Sequence, residues 1–245
     1  MHKFLREGPY AVLHTFYTPD RIHRSLQQQP MRRTVMALLI ATTTIVAANA
    51  QPPIEGFIRI QDLDKTIEVD MMYAKRDNFV GEAMYGFTEA YLHPKAARAV
   101  AEANRLLSER HPGWRICIYD ATRPMSVQQK MWDKVKGTPQ QNYVSNPKNG
   151  GGLHNYGLAV DVSIVDENGD SIEMGTRVDA LTSTSHIDKE EELVAEGKIT
   201  QEAMENRRLL RKVMQEAGFK PLRTEWWHFN YTTRADAKKN YKVVE

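Results

Sequence analysis

Gly150-Gly-Gly-Leu-His154-Asn-Tyr-Gly157-Leu-Ala-Val-Asp161-Val-Ser-Ile-Val165 is the stretch on which the reading of this chain turns. Its second half, residues 158–165, is apolar and rich in β-branched side chains, as a buried strand is. Asp166-Glu-Asn-Gly169 follows as a turn and predicts a hairpin with residues 171–174. One carboxylate, Asp161, sits inside the apolar strand. Buried and unpaired it is costly, so it needs a cation, a hydrogen-bond network or a metal, unless it simply caps nearby backbone amides. His154 lies seven residues earlier, behind three glycines. On one continuous strand an odd separation turns two side chains to opposite faces, so Gly157 must bend the chain if both are to meet one ligand.

A second segment near the C-terminus, Glu225-Trp-Trp-His228, poses the same problem. A spacing of three breaks the strand period, which places Glu225 at the strand entrance with its side chain swung toward the expected metal. Trp226 and Trp227 then supply packing and a low-dielectric wall. The plain alternative is a solvated glutamate at a strand end with a stacked histidine. Together the two segments offer two histidines and two carboxylates. Two histidines with one Asp or Glu can hold a zinc ion with a coordination position left open, and the remaining carboxylate can accept a proton.

Outward from these segments the chain alternates strands and helices. Residues 57–60, 66–70, 114–119 and 225–231 read as strands. A helix is predicted over 94–111, opened by Pro94, with an apolar face of Ala97, Val100, Ala101, Ala103, Leu106 and Leu107. Ser126 reads as the N-cap of a helix to Lys136. Ile199-Thr-Gln-Glu carries a capping-box pattern at Thr200 for a helix to Ala217, stopped by Gly218. Residues 137–152 and 175–188 read as loops, and the charged tail to Glu245 as surface. The expected fold class is α+β: a mostly antiparallel sheet with packed helices in a single domain.

Of the residues, 41% are hydrophobic and 26% charged, ordinary globular values. The formal charge of +2 is set by the N-terminus, where residues 1–50 hold six Lys/Arg and two acids. Taking these from totals of 33 and 31 leaves 27 basic and 29 acidic residues, a mildly acidic body. That suits a small-molecule or peptide substrate and speaks against nucleic acid or membrane as partner. Residues 31–50 have the order of a secretory signal: Arg32-Arg33, an apolar core, then Ala48-Asn49-Ala50. The expected organisation is therefore an upstream extension over 1–30, a signal peptide over 31–50, and an exported body over 51–245, periplasmic or secreted. The apolar core is short for a membrane span of about 20 residues. The single cysteine, Cys117, lies in an apolar run and is expected to be a buried core residue, and a cysteine-based zinc site is excluded.

Of five histidines in residues 51–245, His93 and His111 carry no further pattern. Arg123, after Asp120 and before Pro124, is either a clamp to a loop carboxylate or a fixed cation for a developing oxyanion or a substrate carboxylate. Asp179 in Met174-Gly-Thr-Arg-Val-Asp179 is by sequence alone best read as a cap or a solvated loop residue. Gly-x-Ser-x-Gly, Walker A, Gly-x-Gly-x-x-Gly and His-Glu-x-x-His patterns are absent.

His-x-x-Gly-x-Ala-x-Asp (His154, Gly157, Ala159, Asp161) followed by Glu225-x-x-His228 resembles the zinc D-Ala-D-Ala peptidases, the family that includes the vancomycin-resistance dipeptidases. Tyr73 with Asp77-Asn-Phe-Val-Gly81, Tyr85-Gly86, Asp120-Ala-Thr-Arg-Pro124, Met174-Gly-Thr176, Ser185-His186, Asn206-Arg-Arg208 and the Trp226-Trp227 pair look like the dipeptidase branch. The resemblance spans residues 56–235. It implies one zinc per chain held by His154, Asp161 and His228, with Glu225 as base and Arg123 stabilising the tetrahedral intermediate. It also implies Asp179 as the carboxylate receiving the amine of a small dipeptide, D-Ala-D-Ala. Two departures stand out: the loop reads Arg177-Val178-Asp179 where the family is expected to have Asp-Phe-Asp, and Gly152 stands where Ser is usual. The alternatives are a D,D- or L,D-carboxypeptidase of peptidoglycan stem peptides, and a zinc-stabilised wall-binding domain without turnover.

Overall fold

The computed structural model describes residues 54–245. The expected extension and signal peptide lie outside the described residues. Among the described residues no helix is long and apolar enough to cross a membrane.

The strands are β1 (Ile58–Arg59), β2 (Glu68–Val69), β3 (Tyr91–Leu92), β4 (Arg115–Asp120), β5 (Ala159–Val165), β6 (Lys220–Leu222) and β7 (Glu225–Asn230). The helices are α1 (Ile60–Leu63), α2 (Pro94–Arg110), α3 (Met125–Val135), α4 (Glu190–Ala195), α5 (Gln201–Glu216) and α6 (Arg234–Asn240). Five strands form one sheet in the order β2-β4-β5-β7-β6. Only the β2–β4 pair is parallel; the other pairs are antiparallel, as the α+β expectation requires. β1 and β3 form a separate antiparallel pair.

Every residue of β5 is buried between two neighbouring strands, which explains why it is apolar apart from Asp161 and Ser163. Its register sets up the site. A register shift between Ile118 and Asp120 in β4 brings Asp120 opposite Asp161, and Asp161 in turn pairs with His228 on β7. Three polar residues thus form one row across the central strands.

α2 is the predicted helix almost to the residue. Pro94 occupies its first turn, and Ala96, Ala97, Val100, Ala103 and Leu107 are buried along one face. That face packs against the sheet and α5. α5 is capped by the Thr200 hydroxyl, which accepts from the Ala203 amide. The capping box is only half present, because the residue that would close it is Ala203 rather than the glutamate.

Several expectations give way. The N-cap of α3 is Pro124, and Ser126 lies within the helix. The 158–174 hairpin reduces to a single bridge, Val165 with Ser171. The strands at 57–60 and 66–70 shrink to two residues each, the first running into α1. The tail is more than surface. It forms α6, and Val244 accepts from the Met125 amide while donating to Asn155 O, thereby supporting the turn that carries His154. Cys117 is buried and free, as expected.

Candidate metal centre and active site

The Gly157 bend does what the spacing demanded. Residues Leu153–Tyr156 form a 3-10 turn, and Gly157 closes it with φ 62°, in the left-handed region that favours glycine. His154 therefore leaves the strand geometry before β5 begins and points back at Asp161. Among the described residues one group could hold a metal ion: His154, Asp161 and His228, all buried or nearly so, with ligand atoms within 4.8 Å of one another.

Hydrogen bonds fix which nitrogen each ring offers. His154 Nδ1 lies 2.7 Å from Ala121 O, a pure acceptor, so Nδ1 carries the hydrogen and Nε2 faces inward. His228 Nε2 is 3.0 Å from Asn230 Oδ1, which leaves Nδ1 inward. The inward atoms converge. His154 Nε2 is 3.1 Å from His228 Nδ1. Asp161 Oδ1 is 3.0 Å from His228 Nδ1 and 3.4 Å from His154 Nε2. With neutral rings these are three acceptors with no donor among them, a set that repels itself unless a cation sits between. Ligands held about 2.0–2.1 Å from a tetrahedral zinc lie about 3.3 Å apart, so the observed spacing fits that ion. Without an ion, a proton must take its place: burial alone would push the Asp161 carboxyl up, but a protonated His154, with His228 hydrogen-bonded beside it, holds it far below the usual carboxylate range.

Glu225 opens β7, as its spacing required, and is buried. Its Oε2 lies 3.9 Å from His228 Nδ1. Burial pushes its carboxyl up to about 7, with His228 and Arg123 opposing and Asp161 and Asp179 reinforcing. Such a group is poised to exchange protons near neutral pH.

Arg123 is clamped, to the strand carboxylate Asp120 rather than to a loop carboxylate. Nε and Nη2 donate to Asp120 Oδ2, and Asp120 also accepts from Tyr85 Oη at 2.6 Å, so the clamp is real. Nη1 donates to Gln128 Oε1 at 3.0 Å, and the guanidinium lies over the Tyr73 ring, 5.3 Å from its centroid. Yet Nη2 also stands 3.9 Å from Asp161 Oδ2, at the cavity wall. Held on three sides, it is a cation whose position costs nothing to arrange during a reaction.

Asp179 is not a solvated loop residue. It adopts φ 70°, accepts from Tyr73 Oη at 2.8 Å and from the Phe79 amide at 3.3 Å, and burial pushes its carboxyl up to about 7. Its loop is pinned from below by the fully buried Arg207 of α5, which donates to Met174 O and Thr184 O at 2.6 and 3.1 Å. Trp226 Nε1 adds a bond of 2.7 Å to Thr176 Oγ1. His154, Asp161, His228, Glu225, Arg123 and Asp179 all line one cavity of about 370 Å³.

The sequence reading missed Gln128, Asn230 and Tyr143. Asn230 was legible, since it sits two residues from His228 and shares its strand face. Gln128 and Tyr143 come from α3 and a distant loop and carry no local signal.

Residues 54–244 match the family described as D-ala-D-ala dipeptidase. The chain is 31% identical over 163 residues to the D-alanyl-D-alanine dipeptidase of Escherichia coli, covering 66% of this chain and 78% of that protein. It is 25% identical over 193 residues to the enzyme of the same name from Enterococcus faecalis, covering 71% and 90%. A Synechocystis protein of that name is 25% identical over 185 residues, covering 62% and 73%.

Proposed function

The chain belongs to the D-Ala-D-Ala dipeptidase family, whose members are metallopeptidases, and from that premise we propose that it hydrolyses D-Ala-D-Ala to two D-alanines with one zinc per chain. The observation that carries this reading is the convergence of three inward-facing ligand atoms beside a buried carboxylate with a pKa of about 7, in one cavity with Arg123 and Asp179.

His154, Asp161 and His228 are the proposed ligands. Bound there, zinc supplies Lewis-acid chemistry, acidifying water and polarising the scissile carbonyl. Glu225 accepts the proton of the attacking water on its carboxylate and returns it to the leaving amine. The Arg123 guanidinium, held by Asp120 and Gln128, faces the negative charge that develops on the carbonyl oxygen. Asp179 receives the free amino group of the dipeptide, and the small cavity limits what can follow it. Residues 51–245 are proposed to act outside the cytoplasm after cleavage at Ala50.

The test is metal content and D-alanine release from D-Ala-D-Ala, beside Glu225→Ala. Zinc near one per chain in both proteins, with release falling by about 10²–10⁴ in the variant, is the expected result. Full activity in the variant removes Glu225 from the mechanism. Cleavage of stem pentapeptide without cleavage of dipeptide makes the protein a carboxypeptidase instead.

A further inference from the structure

Two loops meet beside the cavity, where the Tyr143 and His186 side chains touch. Tyr143 ends a 3-10 turn, Pro139–Tyr143, and His186 lies between the short turns Ser183–Ser185 and Ile187–Lys189. Tyr143 Oη is 3.0 Å from His186 Nε2, and the rings are tilted by 53° with centroids 6.0 Å apart. Tyr143 and Leu181 line the catalytic cavity on one side and a second cavity of about 430 Å³ on the other; His186 lines the second. These three side chains are therefore a partition between two cavities. The Tyr143 phenol is raised by burial and by the charge of Glu225, so it stands within reach of the proposed base's field. The second cavity has a mixed lining: Gln140, Asn142, Thr182 and Thr224 offer hydrogen-bonding groups to a peptide backbone, beside Pro139, Leu181 and Arg223.

The partition is weakly built, while the loops around it are strongly anchored. His186 Nδ1 is the buried side-chain atom without a hydrogen-bond partner among the described residues, so the His186 ring is held by one hydrogen bond, to Tyr143, and by the tilted ring contact. The loops are held independently: Ser185 Oγ donates to Ala180 O at 2.6 Å, the Ile187 amide to Arg223 O at 2.9 Å, and Gln128 Nε2 to Ser145 O at 2.7 Å.

We propose that Tyr143, His186 and Leu181 determine substrate length: closed, the partition ends the cavity at a dipeptide, and opened, it admits a peptide extended at its amino end into the neighbouring cavity. The direction follows from Leu181 lying two residues beyond Asp179, the proposed amine site, and to that extent the inference rests on the hydrolytic reading.

The test uses binding, so it does not depend on turnover. Calorimetry measures D-Ala-D-Ala and L-Lys-D-Ala-D-Ala against the zinc-loaded full chain carrying Glu225→Gln. With the partition intact the dipeptide is expected to bind at least about tenfold tighter. Adding Tyr143→Ala or His186→Ala is expected to shrink that ratio to about threefold or less through tighter tripeptide binding. Tyr143→Phe, which keeps the ring and loses only the hydroxyl, guards against misfolding and is expected to fall between. Equal affinities with the partition intact, an unchanged ratio in the folded variants, or no binding of either peptide overturns the proposal. D-alanine release by the unsubstituted chain reports on the hydrolytic reading separately.

Discussion

Two hydrogen bonds decide what His154 and His228 can do. Ala121 O and Asn230 Oδ1 each engage the outer nitrogen and leave the inner one free for the proposed metal. Asn230→Ala frees the His228 ring to rotate and change tautomer; zinc affinity is expected to fall about 10–100-fold, read by competition with a chelator of known affinity. Asp179 makes a different prediction. A carboxyl whose pKa rises on folding, here to about 7, favours the protonated folded state. Ionising it therefore costs stability above pH 7, and that cost disappears as the pH falls toward 4. Asp179→Asn is expected to stabilise the metal-free protein by on the order of 1–3 kcal/mol at pH 8, with the gain shrinking to near zero at pH 4 in urea unfolding. The same substitution is expected to raise KM for the dipeptide, because the amine loses its counter-charge. A site residue that destabilises its own fold when charged is in keeping with function taking precedence over stability there.

At the scale of elements, the Leu153–Tyr156 turn and its glycine matter most. A side chain at Gly157 would be forced into φ 62° and would meet the Phe57 ring at 2.2 Å and Thr122 Oγ1 at 2.8 Å. Gly197 has a similar φ of 69° with nothing within 4 Å, so it isolates backbone strain from crowding. Gly197→Ala is expected to cost about 1 kcal/mol and leave zinc content intact. Gly157→Ala is expected to cost more, about 2–3 kcal/mol, and to lower zinc content by shifting His154; thermal unfolding with metal analysis of both variants checks this. How far the elements were legible follows from the same physics. α2 and α5 announced themselves because a long helix repeats its apolar face over several turns. α4 and β6 did not, being six and three residues long, too short for a period to show. The 158–174 hairpin failed because a turn signal predicts where the chain reverses, not how far the returning strand stays paired.

Over the whole molecule, the ion is expected to act as a staple between β5, β7 and the His154 turn. If zinc at about 100 times its dissociation constant stabilises by about 2.7 kcal/mol, its removal should lower Tm by roughly 5–10 °C in a domain of this size. Differential scanning calorimetry with and without chelator measures this, and an unchanged Tm would remove the staple. The sequence by itself determined the α+β class and marked two segments carrying two histidines and two carboxylates; which of these are ligands and which the base came from the family resemblance. It could mark them because a carboxylate in an apolar strand and spacings that break the strand period are local contradictions, and a shared ligand is one way to resolve them beside a hydrogen-bond network or a cap. Tertiary structure alone decided the rest. Asp179 reads as an ordinary loop residue until Arg207 and Trp226 pin its loop beneath the cavity. Arg123 is nearly buried at the cavity wall, held by its near neighbours Asp120 and Gln128 and by Tyr73, which lies fifty residues away in the chain. The tail supports the His154 turn, and Tyr143 finds His186, through contacts spanning dozens of residues. Burial and partnership at such separations depend on how the elements pack, and no local pattern of residues encodes them.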